Sequence, residues 1–269
     1  MKPNTLTLIT LTLLAALPCA AQKAQLNYPG GVVMLNLVKQ TAQLPEIRYG
    51  LREPVIIETE THWRVLIGIS LTTLPGEYLV YVKRSTPDSE GEYLKINVEQ
   101  KEYPQFEKKD GKRHKVLTRP RAKVSDIDFK NTQQPKLPLM LPTDGDWHNT
   151  FGHQIYYKKS RQLKSLNGIT MTTTKLTTVS SPQNAIVTRI EVDKENLATL
   201  YLDHGRGLFS ILQGLTDITV EIGNGVVAGA VLGKLPGATN NAEHSSLIWQ
   251  TQLNGAYVNP LLLTELIIE

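Results

Sequence analysis

Six histidines and one cysteine are the residues of this 269-residue chain best suited to metal or nucleophilic chemistry. His148, His153, His204 and His244 fall in the second half, with Asp203 directly before His204. Imidazole and carboxylate bind zinc, and three such ligands leave a fourth position for a water whose pKa the metal lowers. A zinc hydrolase drawing its ligands from His148, His153, Asp203, His204 and His244 is therefore one chemistry open to the sequence. No spacing argues for a Ser-His-Asp or Cys-His arrangement. His204-Gly205-Arg206-Gly207 is not a dinucleotide motif, because the glycine order and the downstream element are both wrong.

The histidines stand in a glycine-punctuated β pattern. Y-L-D-H-G-R-G-L-F-S-I-L-Q-G-L starts at Tyr201, and I-T-V-E-I-G-N-G-V-V-A-G-A-V-L-G follows it. G-A-T-N-N-A-E-H-S-S-L-I-W-Q-T-Q-L-N-G-A-Y-V-N-P-L-L-L closes the stretch at Leu263. The glycine spacing, the alternation and the final N-G-x-x-V-N-P-L resemble the lysostaphin/LytM family of zinc peptidoglycan endopeptidases. Pro142…Gly145 and Phe151-Gly152 resemble that family's opening sequence as well.

The resemblance implies a ligand histidine and aspartate in H-x-x-x-D, the second histidine of H-x-H as third ligand, and two further histidines in catalysis. Laid on this sequence, H-x-x-x-D falls on Leu166 and Thr170. D-H-G-x-G-x-x-[ST]-x-x-x-H-L runs from Asp203 to Leu215 without a gap and puts Gly214 at a catalytic histidine. H-L-H-[FW] becomes Ser246-Leu247-Ile248-Trp249. Leucine and isoleucine cannot bind zinc, glycine has no side chain, and neutral hydroxyls are poor ligands. The resemblance therefore implies a degenerate, non-catalytic member whose former groove is built on Leu166, Thr170, Gly214, Ser246 and Ile248, with no metal and no cofactor. Apolar replacements would close over a vacated site, so Leu166 and Ile248 are expected near each other. His148, His153, His204, His244 and Trp249 are the candidates for the groove's rim. Inactive members of the family activate cell-wall amidases or act as scaffolds. The expected partner is accordingly a cell-wall hydrolase such as an amidase, or peptidoglycan itself, and not nucleic acid. The alternatives are an active zinc endopeptidase with non-standard ligands and a module that holds stem peptides without cutting them.

The elements that must position these residues read as all-β. Residues 1–21 read as a signal peptide: Lys2, an apolar run from Leu6 to Leu17, and Pro18-Cys19-Ala20-Ala21. Cleavage after Ala21 would remove the one cysteine, while lipidation of Cys19 is the other processing the sequence allows. Export to the periplasm or cell envelope follows, with no integral membrane segment after signal removal. Strand patterns at 32–37, 54–58, 63–69, 77–82 and 93–98, with turn residues between them, predict a β-sandwich over 22–100. W-R-V-L-I-G-I-S-L-T-T-L-P-G-E-Y from Trp63 resembles the immunoglobulin-like domain that precedes some LytM-type domains. Residues 101–136 hold eleven Lys/Arg against five acids and read as a basic linker, with a short element near 125–129. The second domain, 137–269, is expected to be a LytM-type antiparallel β domain with strands at 168–174, 185–192, 199–203, 207–212, 218–222 and 247–253. The segment 154–165 reads as a basic loop carrying Lys158, Lys159, Arg161 and Lys164, with Lys175 across the next strand. It suits an acidic protein partner or an anionic glycan.

Overall fold

Short runs of alternating apolar and polar residues between turns give this chain an almost entirely β structure. The computed structural model describes residues 26–51, 53–86, 90–108, 133–158, 160–237 and 244–266. The expected signal segment and the short element near 125–129 lie outside them.

The first part is a sandwich of two three-stranded antiparallel sheets. One has the order β1 (Val32–Val38), β4 (His62–Gly68), β3 (Val55–Glu58); the other has β2 (Glu46–Arg48), β5 (Gly76–Lys83), β6 (Glu92–Val98). Trp63, Val65 and Ile67 of β4 face Ile47, Val80, Val82, Ile96 and Val98 in the core between the sheets. Leu66, on the opposite side of β4, belongs to a second cluster, formed mainly by the rest of the chain. Burial on both faces explains why Val65-Leu66-Ile67 reads as an unbroken apolar run.

The second part is dominated by one antiparallel sheet ordered β16 (Gly225–Val226), β13 (Ala185–Val192), β14 (Ala198–Gly205), β15 (Leu208–Leu215), β18 (Ser245–Leu253), β11 (Ile169–Thr173), β8 (Trp147–His148). A further strand, β19 (Ala256–Val258), also pairs with β18, and β12 (Thr177–Ser180) pairs with β17 (Val231–Leu235). The main core lies on one face of the large sheet and includes Ile169, Met171, Leu200, Leu202, Leu208, Leu212, Leu247 and Trp249. The chain ends its described part in helix α1 (Pro260–Glu265). Asn259 caps it by accepting from the Leu261 N–H, and Pro260 fills the first turn, where a missing N–H costs nothing.

Three expectations are corrected. Residues 105–108, expected inside the linker, form β7 (Gln105–Lys108), which pairs in parallel with β9 (Gln154–Tyr157). The segment expected as a loop at 154–165 is a hairpin of β9 and β10 (Gln162–Ser165), so β10, β9 and β7 make a small sheet of their own. Residues 218–222 are not a strand. Asp217 takes a positive φ of 47° and turns the chain off the strand path.

Candidate functional site

Strand register decides which side chains share a face, and it sorts the candidate residues into two groups. Thr170 of β11 lies opposite Ile248 of β18, and Thr172 opposite Ser246. On the far side of β18, Gln213 of β15 lies opposite Ile248. His148 of β8 lies opposite Thr170. Side chains on paired residues point the same way and alternate along a strand. His148, Thr170, Thr172, Ser246, Ile248, Gln250 and Gln213 therefore stand together on the sheet face turned away from the main core.

This floor is mostly polar and carries no carboxylate, lysine or arginine. Thr170 Oγ1 is 3.2 Å from Thr150 Oγ1, which donates to the Gly168 carbonyl. Gln213 Nε2 donates to Gln250 Oε1 at 3.1 Å, and Gln213 Oε1 is buried with no hydrogen-bond partner among the described residues. Farther along the same face, Tyr201, Phe209 and Ile211 form a small buried cluster beside Gln252, whose two side-chain polar atoms also lack a partner. No feature of the described residues accounts for the unsatisfied Gln252.

Leu166 is half-buried and held by its backbone: its N–H donates to the His153 carbonyl, and its carbonyl accepts from the Gly152 N–H. It stands two residues before Gly168, where a Cβ would lie 3.2 Å from Ile248 Cγ2 and 2.5 Å from the Trp249 carbonyl oxygen. Gly214 has a φ of 105°, and a Cβ there would meet the Ser246 carbonyl oxygen at 2.4 Å. The backbone in this conformation has no room for any side chain at 214, histidine included. The five positions thus converge on β11, β15, β18 and the segment leading into β11.

The expected rim separates. His148 is exposed beside Thr170, and His244 is exposed just before β18. The His153 ring lies against Phe106, centroids 5.4 Å apart. His204 and Trp249 are not rim residues: they are 1% and 0% exposed on the core face. His204 contacts the Asn184 carbonyl through Nδ1 at 2.9 Å and Ser210 Oγ through Nε2 at 2.8 Å. Trp249 Nε1 donates to the same Ser210 Oγ at 3.2 Å. Burial lowers the His204 pKa to about 4 and raises that of neighbouring Asp203 to about 6, the latter opposed by a hydrogen bond from the Gly205 N–H.

Zinc does not fit this donor set. Leu166 and Ile248 have no donor atom, Gly214 has no side chain, and Thr170 and Ser246 offer only neutral hydroxyls. Among the described residues, the histidines lie on different faces and elements, and no group of three His, Cys, Asp or Glu is placed to hold a metal.

Residues 164–260 match the sequence profile of peptidase family M23, a span that contains all five positions. Residues 164–260 form a peptidase family M23 domain. A crystal structure of a Pseudomonas aeruginosa protein, provisionally classed as peptidase M23, is 26% identical to the chain. That structure superposes with a TM-score of 0.66, over 88% of this chain and 95% of that one. Two less similar structures cover 48% of the chain, each with a TM-score of 0.38. They are the SpoIIQ–SpoIIIAH pore-forming complex, 19% identical over 91% of that chain, and a zinc-containing peptidase from Vibrio cholerae, 14% identical over 40% of its length. No curated protein matches the chain. The M23 span begins within β10 and ends at the first residue of α1, so it takes in the floor from Thr170 to Gln250 but not His148.

Proposed function

We propose that this is an exported, non-catalytic M23-type protein of bacterial cell-wall metabolism. In this reading an immunoglobulin-like module (22–100) and a basic linker (101–136) precede the degenerate domain (137–269). The domain uses its former groove to bind a cell-wall hydrolase such as an amidase, or peptidoglycan. The observation that carries the proposal is the pairing of Thr170 with Ile248 across adjacent strands, with Gln213 on the other side. The positions the family uses for ligation sit side by side, yet they hold a methyl-bearing hydroxyl and a hydrocarbon. A damaged enzyme that had lost one ligand would keep the others, whereas here none remains.

The replaced floor has binding chemistry of its own. Ile248 offers apolar surface, and Thr150 and Thr170 offer hydroxyls. A floor without carboxylates, lysines or arginines suits an extended peptide backbone better than a phosphate or a metal.

The test combines metal content with sacculus digestion and amidase stimulation. Purified protein should carry far less than one zinc per chain, release no muropeptides, and raise dye release by a cell-wall amidase or co-sediment with sacculi. Stoichiometric zinc together with muropeptide release that a chelator abolishes would overturn the reading in favour of an active endopeptidase. Co-sedimentation without amidase stimulation would identify peptidoglycan as the partner.

A further inference from the structure

The β9–β10 hairpin stands beside the groove but contributes nothing to its floor. β10 is the edge of the small β10-β9-β7 sheet, and each of its residues, Gln162 to Ser165, is exposed. The register pairs Gln162 with Tyr157, Leu163 with Tyr156, Lys164 with Ile155 and Ser165 with Gln154. Just beyond the ladder, the Leu166 N–H donates to the His153 carbonyl, continuing the same register. Backbone groups of an antiparallel strand point alternately toward and away from their neighbour. Leu166, Lys164 and Gln162 therefore bond inward to β9, and Leu163 and Ser165 turn their N–H and C=O groups to the open side.

An open edge is a template for another strand, and proteins commonly blunt it with proline, a bulge or a charge pointing across it. β10 contains no proline, and its register shows no bulge. Leu163, whose backbone faces outward, is an exposed apolar residue, 51% accessible. The Lys164 ammonium lies over the Tyr157 ring, 5.5 Å from its centroid, rather than across the edge. The edge is also one-signed. Residues 151–165 contain Lys158, Lys159, Arg161 and Lys164 and no Asp or Glu. Lys158 is ion-paired with Glu107 of β7. Arg161 and Lys164 form no salt bridge with an acid among the described residues.

We infer that β10 is a docking edge for an extended acidic segment of a protein partner, which adds to the β10-β9-β7 sheet as a fourth strand. The partner's main chain would bond to Leu163 and Ser165. A carboxylate side chain would stand beside Lys164 or Arg161, and an apolar one beside Leu163, on the opposite face. A long-range attraction to the basic hairpin would bring an acidic segment to the edge, and the two outward residues would fix its register. This surface is distinct from the groove, so it stands whether or not the groove binds anything.

The experiment uses the intact chain and a fluorescent ten-residue peptide of alternating glutamate and valine, capped at both ends. Three comparison probes are the same peptide N-methylated at every second residue, one with lysine for glutamate, and dextran sulfate. Binding is read by anisotropy, and amide hydrogen exchange is read by NMR. The expected result is saturable binding, lost with the N-methylated and lysine peptides, and exchange at Leu163 and Ser165 slowed by about tenfold or more, as a newly made hydrogen bond requires. Arg161→Glu with Lys164→Glu should weaken binding at least about tenfold without lowering the melting temperature, because both side chains are exposed. No saturable binding would overturn the proposal. So would binding that leaves those two amides unprotected, or dextran sulfate competing fully while the N-methylated peptide binds as well as the parent. That last result would mark the hairpin as a general polyanion site.

Discussion

Gly214, where the family resemblance would put a histidine, is held as a glycine by its backbone. Its φ of 105° suits a glycine and strains other residues, and the Ser246 carbonyl oxygen occupies the space a Cβ would need. Gly214→Ala should lower stability by about 1–3 kcal/mol in a urea titration. An unchanged midpoint would mean the strand can relax here and could readmit a histidine. Asp203 and His204 make a second prediction, because burial moves their pKa values in opposite directions, to about 6 and about 4. An acid whose pKa is raised on folding binds more protons folded than unfolded. Its contribution to stability therefore falls as pH rises from about 4 to 6. A histidine whose pKa is lowered binds fewer protons when folded. Its contribution rises between about pH 4 and 6.5 and is lost as pH falls through that window. The two slopes oppose each other in the native chain. Asp203→Asn keeps an oxygen to accept from the Gly205 N–H while removing the acid's slope. Its stability relative to the native protein should climb across that window. A difference independent of pH would show that Asp203 titrates normally.

Strands β14, β15 and β18 owe their mutual order to a buried polar bridge as well as to apolar packing. Ser210 of β15 contacts His204 of β14 and accepts from Trp249 of β18, all on the core face. Ser210→Ala would leave both a buried imidazole nitrogen and a buried indole N–H without their partner. Each orphan costs about 1–3 kcal/mol, so the variant should lose about 2–5 kcal/mol while Ser246→Ala, on the open face, loses less than about 1. Chemical denaturation of the pair of variants checks this, and equal losses would contradict the assignment of faces. The same alternation governs what the sequence could reveal. Long strands such as β4, β13 and β18 were legible because burial on one or both faces leaves a strong apolar pattern. The short strands β2, β12 and β16 carry too few residues to register a period. β10 reads as a loop because all four of its residues are exposed, so Q-L-K-S carries no apolar alternation. Residues 218–222 fail in the opposite way: I-T-V-E-I alternates well, but the turn at Asp217 takes it off the sheet. Aligning the motif placed Thr170, Ser246 and Ile248 on one surface. It could not tell that His204 and Trp249 point to the other face, since that follows from parity counted along paired strands.

At the scale of the whole molecule, the amino-terminal sandwich and the large sheet are joined through a shared core rather than only by a tether. Val32, Val55, Ile57 and Leu66 of the sandwich belong to the same apolar cluster as Leu253, Val258 and Leu263. The Asn259 N–H donates to the Gly30 carbonyl, and Gln134 exchanges hydrogen bonds with Glu58. Gly68, at the end of β4, packs closely against the large sheet and β19. A Cβ there would lie 2.9 Å from Leu253 Cβ, 3.1 Å from Val258 Cγ1 and 3.2 Å from Ala256 Cβ. Two of those atoms are Cβ atoms, which cannot swing aside without moving their backbone. Burial of both parts in one cluster predicts that the native chain unfolds in a single calorimetric transition. Gly68→Val should split it in two, because the added methyl groups force the sandwich and the sheet apart at a cost of about 1–3 kcal/mol. Valine is a better strand residue than glycine, so any loss cannot come from β4 itself and must come from the junction. A Gly68→Val protein that still melts in one transition at the native temperature would mean the two parts hold together elsewhere. Retained sandwich signal with an early-melting sheet would instead show that the M23 domain depends on the sandwich for part of its core.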